Sequence, residues 1–425
     1  MGIEKEYLIN IGELKKGKNN LITDVEGVRV GHVTLDNQDI KTGVTAILPH
    51  GGNIFKEKVM ASTFVINGFG KSIGLIQVDE LGTIETPIIL TNTLSIGTAC
   101  TGLIKYMLSE NEDIGKTTST VNPMVLECND GFLNDIRGLH VKESHIIEAI
   151  KKASNDFEEG SVGAGTGMSC YQLKGGIGSS SRAIILDNKE YIVGSLVLSN
   201  CGLEKDLILD GRKIGKEITS KKDLELEKGS IIIVIATDIP LSERQLKRIA
   251  KRASISLGRT GSHLGNGSGD IVVAFSTANK VSHYEEKDIN SMKFINENKI
   301  DLIFRASIES IEESIISSMI HSKETVGRDN KKRKRKKRRG GGRGERRMEK
   351  RGEEEEGGRG GERGGGRGEG EEGERGGGGG EGEGGKRERR GRRLRKREML
   401  IRGRYMAGLT NGVLVNSAMS TASSM

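Results

Sequence analysis

Apolar positions along the chain follow two rhythms. "GVTAILPHGG" (43–52), "YIVGSLVLSNCG" (191–202), "GSIIIVIATDIP" (229–240) and "DIVVAFST" (270–277) are short runs rich in β-branched residues, and those spacings predict strands. "LITDVEGVRVGHVTL" (21–35) alternates and predicts a hairpin or strand pair. In "ETPIILTNTLSIGTACTGLIKYML" (85–108) a buried strand, Ile88 to Leu90, meets a polar corner at Thr91-Asn92-Thr93 and then a helix. Three segments carry helical spacing. In "KESHIIEAIKKASND" (142–156) Ile146, Ile147, Ile150 and Ala153 share one face, with Ser144 as N-cap. "LSERQLKRIAKRASISLGR" (241–259) reads as one helix, opened by a Ser242/Gln245 capping box and burying Leu246, Ile249, Ala250 and Ala253. "SIESIEESIISSMIHSK" (307–323) turns Ile311, Ile315, Ile316, Met319 and Ile320 inward. Helices do not alternate regularly with strands, which argues against a doubly wound sheet and for helix layers packed on sheet.

Composition divides the 425 residues into unlike parts. Residues 1–329 look globular and are long enough to bury a sizeable core. Residues 330–398 are almost only Gly, Arg, Glu and Lys, lack periodicity and predict disorder. Residues 399–425 regain apolar side chains but carry no motif. The block "KKRKRKKRR" (331–339) has nine positive charges against a net charge of +8, so the globular part is not itself basic. Cys100, Cys128, Cys170 and Cys201 are widely spaced, form no CxxC pair and predict thiols in a reducing compartment. No stretch resembles a signal peptide or a membrane span, and "MGIEKE" has Glu6 where a myristoylation motif needs Ser or Thr. A cytoplasmic protein is expected.

Several chemistries are disfavoured by spacing. The glycine-dense "GSVGAGTGMSCYQLKGGIGSSSR" (160–182) has no Walker order and no GxGxxG leading from strand to helix, so close packing or sharp turning explains it better. The seven histidines show no HxH or HExxH spacing. "GNGSGD" (265–270) is not a GxSxG elbow, and His263 lies near Ser268 only in sequence. Ser268, poised between a glycine turn and a strand, also fits a self-processing nucleophile. Its hydroxyl would attack the Gly267 carbonyl, and hydrolysis of the resulting ester would leave Ser268 with a free α-amine of pKa about 8 to act as general base.

Read together, "GVRVGHVTL", "ETPIILTNTLSIG", "VLECNDGFLNDIRG", "GSVGAGTGMSCYQLKGGIGSSSR", "LSERQLKRIAKRASISLGRTGS" and "GNGSGDIVVAFSTAN" resemble, in this order, the DmpA-type peptidases (L-aminopeptidase/D-esterase and β-aminopeptidase, peptidase family S58) over about residues 8–328. The resemblance implies an α/β (α+β) four-layer α/β/β/α sandwich of the DmpA and ornithine acetyltransferase type, similar to N-terminal-nucleophile hydrolases. It implies cleavage at Gly267–Ser268 into an α chain 1–267 and a β chain from 268. It further implies hydrolysis of amides, esters or short peptides with a free amino terminus, no metal or organic cofactor, and a homo-oligomer of processed α/β pairs. Carried over by position, Asn200 in "VLSNCG" stabilises the oxyanion, Glu127 in "LECND" holds the substrate ammonium, and Ser310 with Glu312 supports the nucleophile. Ser307 with Glu309 has the same spacing, and the residue pattern reads Ser310 equally as a helix N-cap with Glu313 closing a capping box. Asn129 falls where a residue shapes the side-chain pocket or oxyanion region, and Asn92 is expected to line the site. Two alternatives remain: an acyltransferase of the ornithine acetyltransferase type, which uses threonine in a different motif, and nucleic-acid binding through the basic tail. That tail has almost no aromatic residues to stack on bases, and its glutamates offset many of its arginines.

Overall fold

The computed structural model describes residues 10–218, 227 and 229–335. The amino-terminal "MGIEKE", the tract from 336 onward and the carboxy-terminal 399–425 segment lie outside the described residues.

The strands are β1 (Arg29–Asn37), β2 (Ile40–Leu48), β3 (Glu57–Gly68), β4 (Thr83–Ile84), β5 (Ile88–Asn92), β6 (Met124–Cys128), β7 (Ser169–Cys170), β8 (Leu173–Lys174), β9 (Gly176–Leu186), β10 (Lys189–Asn200), β11 (Ser230–Thr237), β12 (Gly269–Ser282), β13 (Thr325–Val326) and β14 (Lys332–Arg333). The helices are α1 (Leu75–Leu81), α2 (Ile96–Glu110), α3 (Glu143–Lys151), α4 (Gly215–Ile218), α5 (Glu243–Ala250), α6 (Ala253–Thr260) and α7 (Ile300–Ile320). Two sheets form the body, one ordered β1-β2-β5-β6 and the other β4-β3-β12-β11-β10-β9.

Side-chain alternation sorts the larger sheet into two cores. On β11, Ile232, Val234 and Ala236 join the core shared with the four-stranded sheet, α2 and α3. Ile231, Ile233 and Ile235 join the core under α5, α6 and α7. The same split places Ile271, Val273 and Phe275 of β12 inside and Val272 and Ala274 outside. A strand covered on both faces needs an unbroken apolar run, which is why all eight residues of β11 are buried. The order is helix, sheet, sheet, helix, the mixed α/β layering expected.

Three helices differ from their sequence patterns. α3 begins at Glu143 and is capped by Lys142, whose N–H donates to His145 Nδ1 at 3.0 Å, so Ser144 is inside the helix and not its cap. The helix also stops at Lys151, before Ala153. The segment 241–259 is two helices: the Ser242/Gln245 box opens α5, and the chain then tightens at Lys251-Arg252 through i−3 bonds, Arg252 N–H to Ile249 O and Ile255 N–H to Arg252 O, both 2.9 Å. α7 starts at Ile300, so Ser310 is mid-helix and caps nothing.

The glycine-dense segment is a packing device. A Cβ on Gly178 would lie 2.0 Å from Ser314 O and 2.6 Å from Ser318 N, so α7 reaches β9 only because that position is bare. Serines line the same contact, Ser195 with Ser314 at 2.7 Å and Ser199 with Ser318 at 2.6 Å. Beside them Arg182, fully buried, meets Glu309 at 3.3 Å and Glu313 at 2.8 Å. Among the described residues no helix is long and apolar enough to cross a membrane.

Candidate active site

Strand pairing brings the chemistry to one end of the two sheets. Asn200, Ser230 and Gly269 stand side by side at the ends of β10, β11 and β12. In the other sheet, the parallel pair β5 and β6 sets Thr91 beside Glu127 and Asn92 beside Cys128. Between them opens a cavity of about 480 Å3, lined by Glu127, Asn129, Asn200, Ser230 and Gly267 with Thr93. Phe69 and Phe132 add aromatic wall, and Lys71 and Arg333 add cations.

Glu127 is 3% exposed, and its carboxylate is fixed from two sides: Oε1 accepts the Lys71 N–H at 2.9 Å and Oε2 accepts the Thr93 hydroxyl. A buried carboxylate aimed into a cavity is a receptor for a cation. Asn200 Oδ1 accepts the Ser169 N–H at 2.8 Å, and its Nδ2 donates to Asn129 O at 3.0 Å. This fixes which end of the amide is nitrogen and leaves its second N–H to donate elsewhere. Asn129 takes part through its backbone carbonyl, while its Oδ1 accepts Gly131 N–H at 2.9 Å.

Ser268 is fully buried and its hydroxyl donates to Asp270 Oδ1 at 2.5 Å. Its N–H closes a turn on Gly265 O at 2.9 Å, and its carbonyl accepts the N–H of Phe69 at 3.2 Å and the side-chain amide of Asn67. Gly269 N–H reaches Ser230 Oγ at 3.2 Å. Gly267, the residue before the serine, faces the cavity. It is not strained: a Cβ there would meet open space, and its φ is not positive. The left-handed residue is Leu264, just before the turn, at φ 57°.

Some expected members stand elsewhere. Asn92 is 2% exposed and does not line the cavity: its Oδ1 accepts Leu94 and Ser95 N–H at 3.1 Å and its Nδ2 donates to Thr42. It is the N-cap of the turn into α2, and its neighbour Thr93 faces the cavity instead. Ser310 and Glu312 are not brought to Ser268. The Ser310 carbonyl accepts the hydroxyl of Ser180, which pairs with Ser195. From Ser195 to Asn200 the strand runs roughly 17 Å. Glu312 points the other way, to Arg259 at 3.1 Å. The alternative pair fares no better, since Glu309 is spent on Arg182 and Arg305. His263 is 3.0 Å from Glu227, not beside Ser268.

Sequence reasoning passed over Asp270, Ser230, Asn67 and Glu227. Asp270 had a signal: two residues along an extended chain from Ser268, it falls on the same face. Glu227 had none. Its buried carboxylate accepts Gly202 N–H at 3.1 Å, Ser262 Oγ at 2.5 Å and His263 N–H at 3.0 Å, tying the end of β10 to the loop before Ser268.

The family model for peptidase family S58 matches residues 20–333. A beta-peptidyl aminopeptidase, BapA, of Sphingosinicella microcystinivorans is 37% identical over 338 residues, covering 74% of this chain and 84% of the relative. The PH0078 protein of Pyrococcus horikoshii OT3 superposes with a TM-score of 0.74 at 56% identity, over 77% of this chain and 94% of that one. An L-aminopeptidase D-Ala-esterase/amidase of Ochrobactrum anthropi, described as a prototype of the serine aminopeptidases and a variant of the Ntn hydrolase fold, gives a TM-score of 0.72 at 33% identity, over 77% and 93%. The acyltransferase and nucleic-acid readings gain no support from these matches. With the family model, the curated relative and the fold match in agreement over most of its length, the chain belongs to peptidase family S58.

Proposed function

We propose that this protein is a self-processing aminopeptidase that cuts its own Gly267–Ser268 bond and then uses Ser268 as an amino-terminal nucleophile. The observation that carries the reading is that Gly267 borders the same cavity as Glu127 and Asn200. Cleavage there delivers the new terminus, hydroxyl and amine together, beside a buried carboxylate and a free amide N–H. Glu127 holds the substrate ammonium, Ser268 Oγ attacks the acyl carbon, and the Ser268 amine takes the proton and passes it to the leaving group. Asn200 Nδ2 donates to the tetrahedral oxyanion. Asn129 positions Asn200 through its carbonyl. Ser310 and Glu312 have no partner role in this geometry.

Substrates are small peptides, amides or esters with a free amino terminus. Assembly of processed pairs in a reducing, cytoplasmic compartment completes the reading. Ile76, 88% exposed, and Leu81, 62% exposed, on α1 offer apolar surface for such a contact.

The test compares an aminoacyl p-nitroanilide with its N-acetyl derivative. Hydrolysis of the free amine alone is expected. Glu127→Gln should lower kcat/KM by about 10–100-fold, mainly through KM, as for loss of a charge-assisted hydrogen bond. Equal turnover of the acetylated compound, or activity in Ser268→Ala, would refute the reading.

A further inference from the structure

We infer that Asp270 is the general base of self-cleavage, taking the Ser268 hydroxyl proton in the uncut chain. The inference rests on the self-processing reading above and names the group that drives its first step.

An amino-terminal nucleophile supplies its own base only after it has an amino terminus. Before cleavage the Ser268 nitrogen is an amide, its N–H held on Gly265 O, and it cannot accept a proton. The first turnover therefore needs another acceptor. Asp270 Oδ1 lies 2.5 Å from Ser268 Oγ, both residues are fully buried, and Asp270 Oδ2 has no hydrogen-bond partner among the described residues. A buried carboxylate oxygen left unpaired is costly, and its retention beside the scissile bond is what a proton acceptor requires. Among the described residues no imidazole bonds the hydroxyl, and His263, near it in sequence, is engaged with Glu227.

The step balances without a further reactant except water. The proton leaves Ser268 Oγ for Asp270 Oδ1 as Oγ bonds to the Gly267 carbonyl carbon. The Gly267 C–N bond then breaks, and the proton returns from Asp270 to the departing Ser268 nitrogen. Water hydrolyses the ester, leaving a Gly267 carboxylate and the Ser268 amine. Asn67 is a positioning residue here: its amide reaches the carbonyls of Ser268, Gly265 at 3.2 Å and Asn266 at 3.3 Å, bracing the turn that carries the scissile bond.

Burial raises the Asp270 carboxyl from 3.8 to about 6, and the charge of Glu227 pushes the same way. The Ser268 hydroxyl and the Ile231 N–H oppose them. The remaining titratable neighbours, Cys128 and Cys201, have thiols raised well above their usual range and stay neutral. The base is the charged form, so cleavage should be fast above about pH 6 and slow as pH falls through it. Stability follows the opposite sense: the folded state holds this proton more tightly than the unfolded chain, so stability declines as pH rises from about 4 to 6.

Full-length chain made by cell-free translation, followed by mass over time, tests this. Asp270→Asn keeps size and hydrogen bonding but cannot take the proton, and should slow cleavage by about 10²-fold or more. Asp270→Glu should restore part of the rate. Should Asp270→Asn fail to fold, the wild-type pH profile decides: a rate falling about tenfold per pH unit below 6 supports the assignment, and a flat rate from pH 5 to 8 overturns it. Asp270→Asn cutting at the wild-type rate, with Ser268→Ala whole, overturns the base while leaving the nucleophile intact. A wild-type chain that stays whole overturns both.

Discussion

Ser268 has its hydroxyl on Asp270 and no exposed surface, whereas Gly267 borders the cavity, so the proposed processing has to uncover the serine hydroxyl as well as free its amine. The groups awaiting it are already fixed. Glu127 is held by a backbone N–H and a hydroxyl, and Asn200 by Ser169 and Asn129. Preorganised donors are worth more than mobile ones because no reorganisation is needed as charge develops. Asn200→Ala should therefore cut kcat by about 10²–10³-fold with little change in KM, measured by steady-state hydrolysis on processed enzyme. The place of Glu127 and Asn200 at the cavity was legible from their motifs. Asn92 was not: its motif marks a strand-to-helix corner, and only the three-dimensional corner reveals that its Oδ1 caps the turn while its Nδ2 donates to Thr42.

At the scale of elements, α7 shows how a residue pattern can be right in composition and misleading in location. Its inward isoleucines and Met319 are buried as their spacing requires. Its Ser-x-Glu spacings, however, serve packing and ion pairing, with Ser310 against Ser180, Glu309 on Arg182 and Glu312 on Arg259. Sequence spacing gives the face of a helix but not which end of a sheet it reaches. The glycines of 160–182 were legible as close packing, and Gly178 gives that reading a contact. Gly178→Ala would drive a methyl into the α7 backbone and should destabilise by about 1–3 kcal/mol, measured by denaturant unfolding, while an unchanged midpoint would mean that α7 can move off β9. The break of 241–259 into α5 and α6 left no mark in the sequence, because both halves keep one apolar stripe through Leu246, Ile249, Ala253 and Leu257.

For the whole molecule, the layered α/β architecture was legible because strands and helices follow different apolar periods, and its extent was less so. Composition turns at about residue 330, yet the described body continues to Arg335. β14 pairs with β13, Lys334 O accepts the Lys174 N–H at 2.9 Å, and Arg333 stacks 3.5 Å over Phe132 at the cavity. Charge counts cannot distinguish a basic residue that packs from one that does not; only its neighbours can. The family match, ending at 333, takes in β14 and Arg333. Intact mass with amino-terminal sequencing of the purified full chain, beside Ser268→Ala, tests the cut at Gly267–Ser268. Two chains from the wild type, the second beginning Ser-Gly-Asp-Ile, and one uncut chain from the variant are the predicted result. A single uncut chain in both, or a cut at any other bond, would contradict it.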